Sequence, residues 1–148
     1  MKYRNWCALF ILVMFFPLFA AGQADSALRK KGAYLRVDPD RVQLGEIEVG
    51  KLTDAHGSIL LKLYNEGVAP LILQSVAGCC GTEIKDYTRQ PILPGKSGQI
   101  SVYFRIEPKL QTISRVVTIK SNALNAPETK VHISGSVVKN HEKGRIVL

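Results

Sequence analysis

The stretch Gln99-Ile100-Ser101-Val102-Tyr103-Phe104-Arg105 decides the fold class of this chain. Ile100, Val102 and Phe104 alternate strictly with Ser101, Tyr103 and Arg105. A period of two puts the first set on one face of an extended strand and the second on the other, which is the pattern of a strand buried on one side. The turn Pro94-Gly95-Lys96-Ser97-Gly98 launches it, because proline presets one turn position and glycine accepts a positive φ.

The same grammar repeats outward in both directions. Downstream, residues 113–120 carry Val117 and Ile119 as core positions, and residues 121–127 form a return loop. Residues 130–138 then set Val131, Ile133, Gly135 and Val137 against Lys130, His132, Ser134 and Ser136. Upstream, Ile59, Leu61 and Leu63 share one face of 58–64, and Leu60 on the other face suggests burial on both sides. Asn65-Glu66-Gly67 is a turn signal, after which Pro70 opens a strand over 71–76. Before these, 34–37 is stopped by Asp38-Pro39-Asp40, and 41–49 bends at Gly45. No sustained helical period occurs after residue 24. About seven short strands at this spacing predict an all-β, immunoglobulin-like two-sheet β-sandwich, with a small barrel as the competing architecture. The tryptophan and inter-sheet cysteine pair of antibody domains are missing, so the likeness is of a looser kind.

The first 24 residues read as an export signal. Lys2 and Arg4 precede an apolar run over 6–21, and Gly22-Gln23-Ala24 offers a small-x-small cleavage site. The run is shorter than the roughly 20 residues a spanning helix needs, and Pro17 interrupts it, so no stable membrane anchor is expected after cleavage. Residues 25–33 are polar and basic and read as a flexible leader, 34–138 as the sandwich domain, and 139–148 as a charged tail. Cleavage after Ala24 leaves a net charge of +6 and Phe104 as the sole phenylalanine. The core must therefore rest on Val, Ile and Leu, which suits β packing. The basic residues are scattered, only Arg29-Lys30-Lys31 forming a run, and they do not interleave with aromatics. That argues against a nucleic-acid partner, and the shortage of aromatics argues against carbohydrate stacking.

Cys79 and Cys80 are the only cysteines outside the expected signal, within Val76-Ala77-Gly78-Cys79-Cys80-Gly81-Thr82. Adjacent Cα atoms lie about 3.8 Å apart, less than the roughly 4.4–6.8 Å of ordinary disulfides, so a bridge between them is strained and reducible. Continued strand alternation would point the two sulfurs to opposite faces. Packed inert thiols, a vicinal or intermolecular disulfide, a metal site and redox chemistry all remain open. Two adjacent thiolates do not complete a tetrahedral metal site, and His56 and His132 read as a loop and a strand-face residue. No metal and no cofactor is expected. After Thr82 the alternation dissolves until Pro91, so 77–94 reads as the longest irregular loop. Its polar residues Thr82, Glu83, Lys85, Asp86, Tyr87 and Arg89 make it a candidate interaction loop.

The order Gly45-Glu46-Ile47-Glu48-Val49-Gly50, Leu63-Tyr64-Asn65-Glu66-Gly67-Val68-Ala69-Pro70-Leu71, Pro94-Gly95-Lys96-Ser97-Gly98 and Ser121-Asn122 resembles DUF1573 proteins, over roughly residues 41–138. This bacterial family of unknown function, frequent in Bacteroidetes, is similar to the ASPM/SPD-2/Hydin and PapD-like immunoglobulin-like modules. The resemblance implies a fold and a location, and related modules are mostly interaction or scaffolding units. The family usually shows Cys-Gly-Cys-Thr after the strand that follows Asn-x-Gly. Cys80 and Gly81 match its first two positions, Thr82 stands at the second cysteine, and Cys79 stands where serine is usual.

No nucleophile elbow, phosphate-binding loop or carboxylate dyad organised for catalysis is visible. The sequence therefore predicts a non-enzymatic, periplasmic or secreted module with an unidentified protein partner, contacted at a sheet edge by strand addition or at the 77–94 loop. The alternative is a thiol-dependent metal or redox protein using Cys79 and Cys80.

Overall fold

The computed structural model describes Ser26, Ala27, Arg29 and residues 31–140. The expected signal and the tail from His141 onward lie outside the described residues. Eight strands form two four-stranded sheets: β1 (Leu35–Asp38), β2 (Arg41–Glu48), β3 (Ser58–Asn65), β4 (Leu73–Gly78), β5 (Thr82–Tyr87), β6 (Ser97–Phe104), β7 (Gln111–Ser121) and β8 (Glu128–Val138). The first sheet runs β1-β3-β6-β5 and the second β2-β8-β7-β4. This is the immunoglobulin-like sandwich, with the opening strand shared between sheets. β1 pairs antiparallel with β3, and after Asp38-Pro39-Asp40 the chain continues as β2, parallel to β8. The Asp38–Pro39 peptide is cis.

Alternation builds the core as the sequence predicts. Leu61, Leu63, Ile100, Val102 and Phe104 from the first sheet face Ile113, Val117, Ile119, Val131, Ile133 and Val137 from the second, all buried. Burial of such side chains stabilises by about 1.5–3 kcal/mol each. Leu60 departs from expectation: it is 51% exposed on the outer face of β3, opposite Ser101, so β3 is buried on one side only.

Two other expectations are corrected. The lead-in joins the fold before Tyr34: Gly32 and Ala33 are buried, and their carbonyls accept the amides of Val68 and Leu124. The irregular loop expected over 77–94 instead contains β5, paired with β6. An extra residue, Lys85, interrupts that pairing between Ile84 and Asp86, so the half-buried residues are Thr82, Ile84 and Tyr87. This bulge breaks the period of two and hides the strand from pattern reading.

The register sorts the connections between two ends. One end carries residues 31–34, the β3–β4 link 66–72, the β5–β6 link 88–96 and the β7–β8 link 122–127. The other carries 49–57, the turn 79–81, residues 105–110 and the chain beyond β8.

Candidate functional site

The first end is held by three asparagines. Asn65, 1% exposed, donates from Nδ2 to the carbonyls of Ala69 and Ile92, both at 2.8 Å. Its Oδ1 accepts the Gly67 amide at 3.0 Å and the Tyr34 amide at 3.4 Å. One side chain thus ties the lead-in and two loops together. Gly67 is required beside it, because a Cβ there would lie 2.1 Å from the Gly32 carbonyl oxygen and 2.6 Å from the Tyr34 nitrogen. Asn122 accepts the Ile72 amide at 2.8 Å and donates to the Pro70 carbonyl at 3.0 Å. Asn125 does the same to Leu35, at 2.9 and 2.8 Å. The Asn-x-Gly and Ser-Asn motifs are therefore fasteners that satisfy loop backbone groups.

These fastened loops display apolar side chains. Of the large hydrophobic residues exposed among the described ones, Val68, Ile72, Leu93 and Leu124 all lie at this end, while Leu60 and Leu110 do not. Pro70, Pro91, Pro94 and Pro127 are exposed beside them. Proline and the asparagine fasteners remove backbone freedom in advance, which lowers the ordering cost of a contact made here.

The sheet edges are protected. β2, β4 and β5 are edge strands, and each carries a register shift, at Leu44, Gln74 and Lys85 respectively. β1, the fourth edge, is four residues long and ends at Pro39. Bulges, short strands and proline are the devices that stop strand-to-strand pairing, so strand addition is a poor fit.

At the opposite end, Cys79-Cys80-Gly81 joins edge strand β4 of one sheet to edge strand β5 of the other. The Cys79 amide donates to the Val116 carbonyl at 3.0 Å, extending the β4–β7 ladder, and the Thr82 amide donates to the Cys79 carbonyl at 3.0 Å. Cys80 has φ 57° and Gly81 φ 77°, the paired positive values of a type I′ turn. Gly78 allows the crossing, since a Cβ there would lie 2.5 Å from the Thr82 carbonyl oxygen. Cys80 is the one non-glycine residue with positive φ among the described residues.

Both thiols are free, Cys79 half-buried and Cys80 exposed. The turn breaks the alternation that would have separated them, and the two thiols interact. Hydrogen bonding to the Cys79 thiol, then its charge and some desolvation, push the Cys80 thiol above the ordinary thiol range, while the Arg115 guanidinium acts in the opposite direction. Arg115 occupies the inward register of β7, in series with Ile113, Val117 and Ile119. Its guanidinium carbon lies 5.9 Å from the Phe104 ring centroid, and its Nε is buried without a partner. Sequence reading passed over Arg115; an arginine in an otherwise apolar alternation was the available signal.

The candidate interaction residues Thr82, Glu83, Lys85, Asp86 and Tyr87 lie on β5, with Arg89 just beyond. Their charges are largely matched locally. Lys85 pairs with Glu83 at 2.8 Å and sits over the Tyr103 ring at 5.1 Å, and Arg89 lies over Tyr87 at 4.6 Å. The Asp86 carboxylate accepts the Tyr87 amide. His56 fastens its own short turn, its Nδ1 meeting the Thr53 amide at 3.1 Å, and His132 is exposed on β8. Among the described residues no three His, Cys, Asp or Glu side chains gather as metal ligands, and no helix is long and apolar enough to cross a membrane. A cleft of about 440 Å³ lies between Leu52, Asp54, Tyr103, Arg105, Ile106 and Pro108, without convergent catalytic groups.

Comparison with known proteins agrees with this architecture. The family described as "Protein of unknown function (DUF1573)" matches residues 35–137. No curated protein matches the chain. Among solved structures, a protein of unknown function from Porphyromonas gingivalis W83 superposes with a TM-score of 0.58 at 19% identity, over 74% of this chain and 49% of that one. The secreted serine protease VesC from Vibrio cholerae gives 0.56 at 15% identity, over 84% of this chain and 26% of that one. The ASH/PapD-like domain 7 of human CEP192 gives 0.49 at 12% identity, over 95% and 99%. The chain spans half or less of the first two proteins, whose likeness concerns the fold alone.

Proposed function

The chain belongs to the DUF1573 family, whose function is unknown, and we propose that it is an exported, non-catalytic immunoglobulin-like module that binds a protein partner through its asparagine-fastened loop end. The observation that carries this reading is the concentration of Val68, Ile72, Leu93 and Leu124 on loops whose backbone is already immobilised. Apolar side chains on a preordered frame lose little entropy on binding, and exposed apolar groups gathered at one site mark interaction surfaces. The bulged edges and the locally matched charges of β5 make those surfaces the weaker alternatives. The positive n-region and small-x-small site within residues 1–24 support a periplasmic or secreted location, which N-terminal sequencing of the recovered protein tests by finding Asp25 first.

The binding reading is tested by crosslinking in cells that produce the chain. Wild type should capture a protein that the triple variant Val68→Ser, Leu93→Ser, Leu124→Ser fails to capture at unchanged urea stability. A Glu83→Ala, Lys85→Ala, Arg89→Ala variant should still capture it. Loss in the β5 variant alone would move the surface to β5, and no crosslinked protein at all would overturn the reading.

A further inference from the structure

From the corner formed by Cys79, Cys80 and Arg115 we infer a thiol–disulfide exchange site: Cys80 is the sulfur that engages an incoming disulfide, and Cys79 resolves it into a vicinal bridge. This is independent of the binding reading, because the corner lies at the opposite end of the sandwich from the fastened loops.

Three observations converge. First, the turn is not built for its own stability. Its positive-φ positions favour Asn-Gly, yet a cysteine occupies the first, where left-handed backbone costs about 1–2 kcal/mol. Strain of this kind is found where a site needs a particular geometry. Second, accessibility is asymmetric. Cys80 is exposed and Cys79 half-buried, so an external disulfide meets Cys80 first, with the second thiol on the adjacent residue. Third, Arg115 stands at an inward, otherwise apolar position of β7 with its Nε unpartnered; against Cys79 and desolvation, which together hold the Cys80 thiol above its ordinary range, its charge is the one influence that favours the thiolate. Thiolate is the nucleophile in exchange.

The steps balance. The Cys80 thiolate, its proton passed to solvent, attacks one sulfur of R–S–S–R. The Cys80–S–R bond forms, the original S–S bond breaks, and R–S⁻ leaves and is protonated. The Cys79 thiolate then attacks the Cys80 sulfur, the vicinal bond forms, and the second R–S⁻ departs. Two protein thiols are oxidised by two electrons, and one disulfide is reduced to two thiols. Because bridges between adjacent residues are strained, the product readily returns its oxidation to another thiol, as an exchange site requires.

The probe is 5,5′-dithiobis(2-nitrobenzoate), whose good leaving group drives even a strained bridge, applied to the chain carrying Cys7→Ser so that only this pair can react. Two thionitrobenzoate ions should be released per chain, and the intact mass should fall by two hydrogens with no adduct. Cys79→Ser should release one ion and retain a stable adduct on Cys80, while Cys80→Ser should react at least tenfold more slowly. In guanidinium chloride the Arg115→Met variant should react as fast as its parent, and in the native state more slowly. A stable adduct on the parent, two adducts per chain, a disulfide-linked dimer or no reaction would each overturn the assignment, as would an equal native rate for Arg115→Met.

Discussion

Replacing Asn65 by alanine tests the claim that the Asn-x-Gly motif is a fastener and not a contact residue. The side chain is 1% exposed and makes three hydrogen bonds of 2.8–3.0 Å and a fourth of 3.4 Å. Truncation leaves the Ala69 carbonyl and the Gly67 and Tyr34 amides without the partner Asn65 supplies, while the Ile92 carbonyl keeps only the Leu71 amide. A buried polar group stripped of its partner costs about 1–3 kcal/mol, so the expected loss is about 3–5 kcal/mol after partial rescue by water. Against a total of roughly 5–15 kcal/mol for a domain, that leaves a marginal fold. With a urea slope of about 2 kcal/mol/M, the midpoint falls by roughly 1.5 M or more. Asn65→Asp should be no milder, because it retains the acceptor but sets a carboxylate against two carbonyl oxygens. Asn122→Ala, whose two bonds are exposed, should lose only about 1 kcal/mol. A loss below about 1 kcal/mol for Asn65→Ala, or one no larger than that of Asn122→Ala, would refute the reasoning.

Gly67→Ala should be far more damaging than Gly45→Ala: the first drives a Cβ into the lead-in backbone at 2.1 Å, whereas the second has φ 69° but nothing within 4 Å. Gly45→Ala should cost about 1 kcal/mol, and thermal melts of the pair separate crowding from conformational cost. Cys80→Asn should stabilise the domain by about 1 kcal/mol, because asparagine tolerates the left-handed backbone that cysteine resists; an unchanged or lower melting temperature would contradict the I′ reading. Arg115→Met should move the rate–pH profile of Cys80 alkylation further to the alkaline side. The guanidinium favours the thiolate that Cys79 opposes, so its removal lowers the thiolate fraction at any fixed pH. An unshifted profile would remove Arg115 from the site.

Legibility followed the mechanism of each element. Strand β6 was readable because Ile100, Val102 and Phe104 alternate without interruption, as do Val131, Ile133, Gly135 and Val137 in β8. Strand β5 was not, since the Lys85 bulge shifts its inward set to Thr82, Ile84 and Tyr87. Leu60 misled for the opposite reason: an apolar residue on a polar face invites a burial that the outer face of the first sheet does not supply.

Local patterning thus pointed by itself to an all-β fold, sandwich or small barrel, and marked the core-facing residues of β6 and β8, because strand periodicity and turn chemistry are properties of neighbouring residues. It also singled out Cys79 and Cys80. Only the tertiary structure decided what those features do. Asn65 reaches backbone atoms of Tyr34 and Ile92, 31 and 27 residues away. Arg115 meets the cysteine turn because β4 and β7 pair in one sheet while β5 leaves for the other. Such juxtapositions depend on register and on which edge a strand occupies, and no local period encodes either.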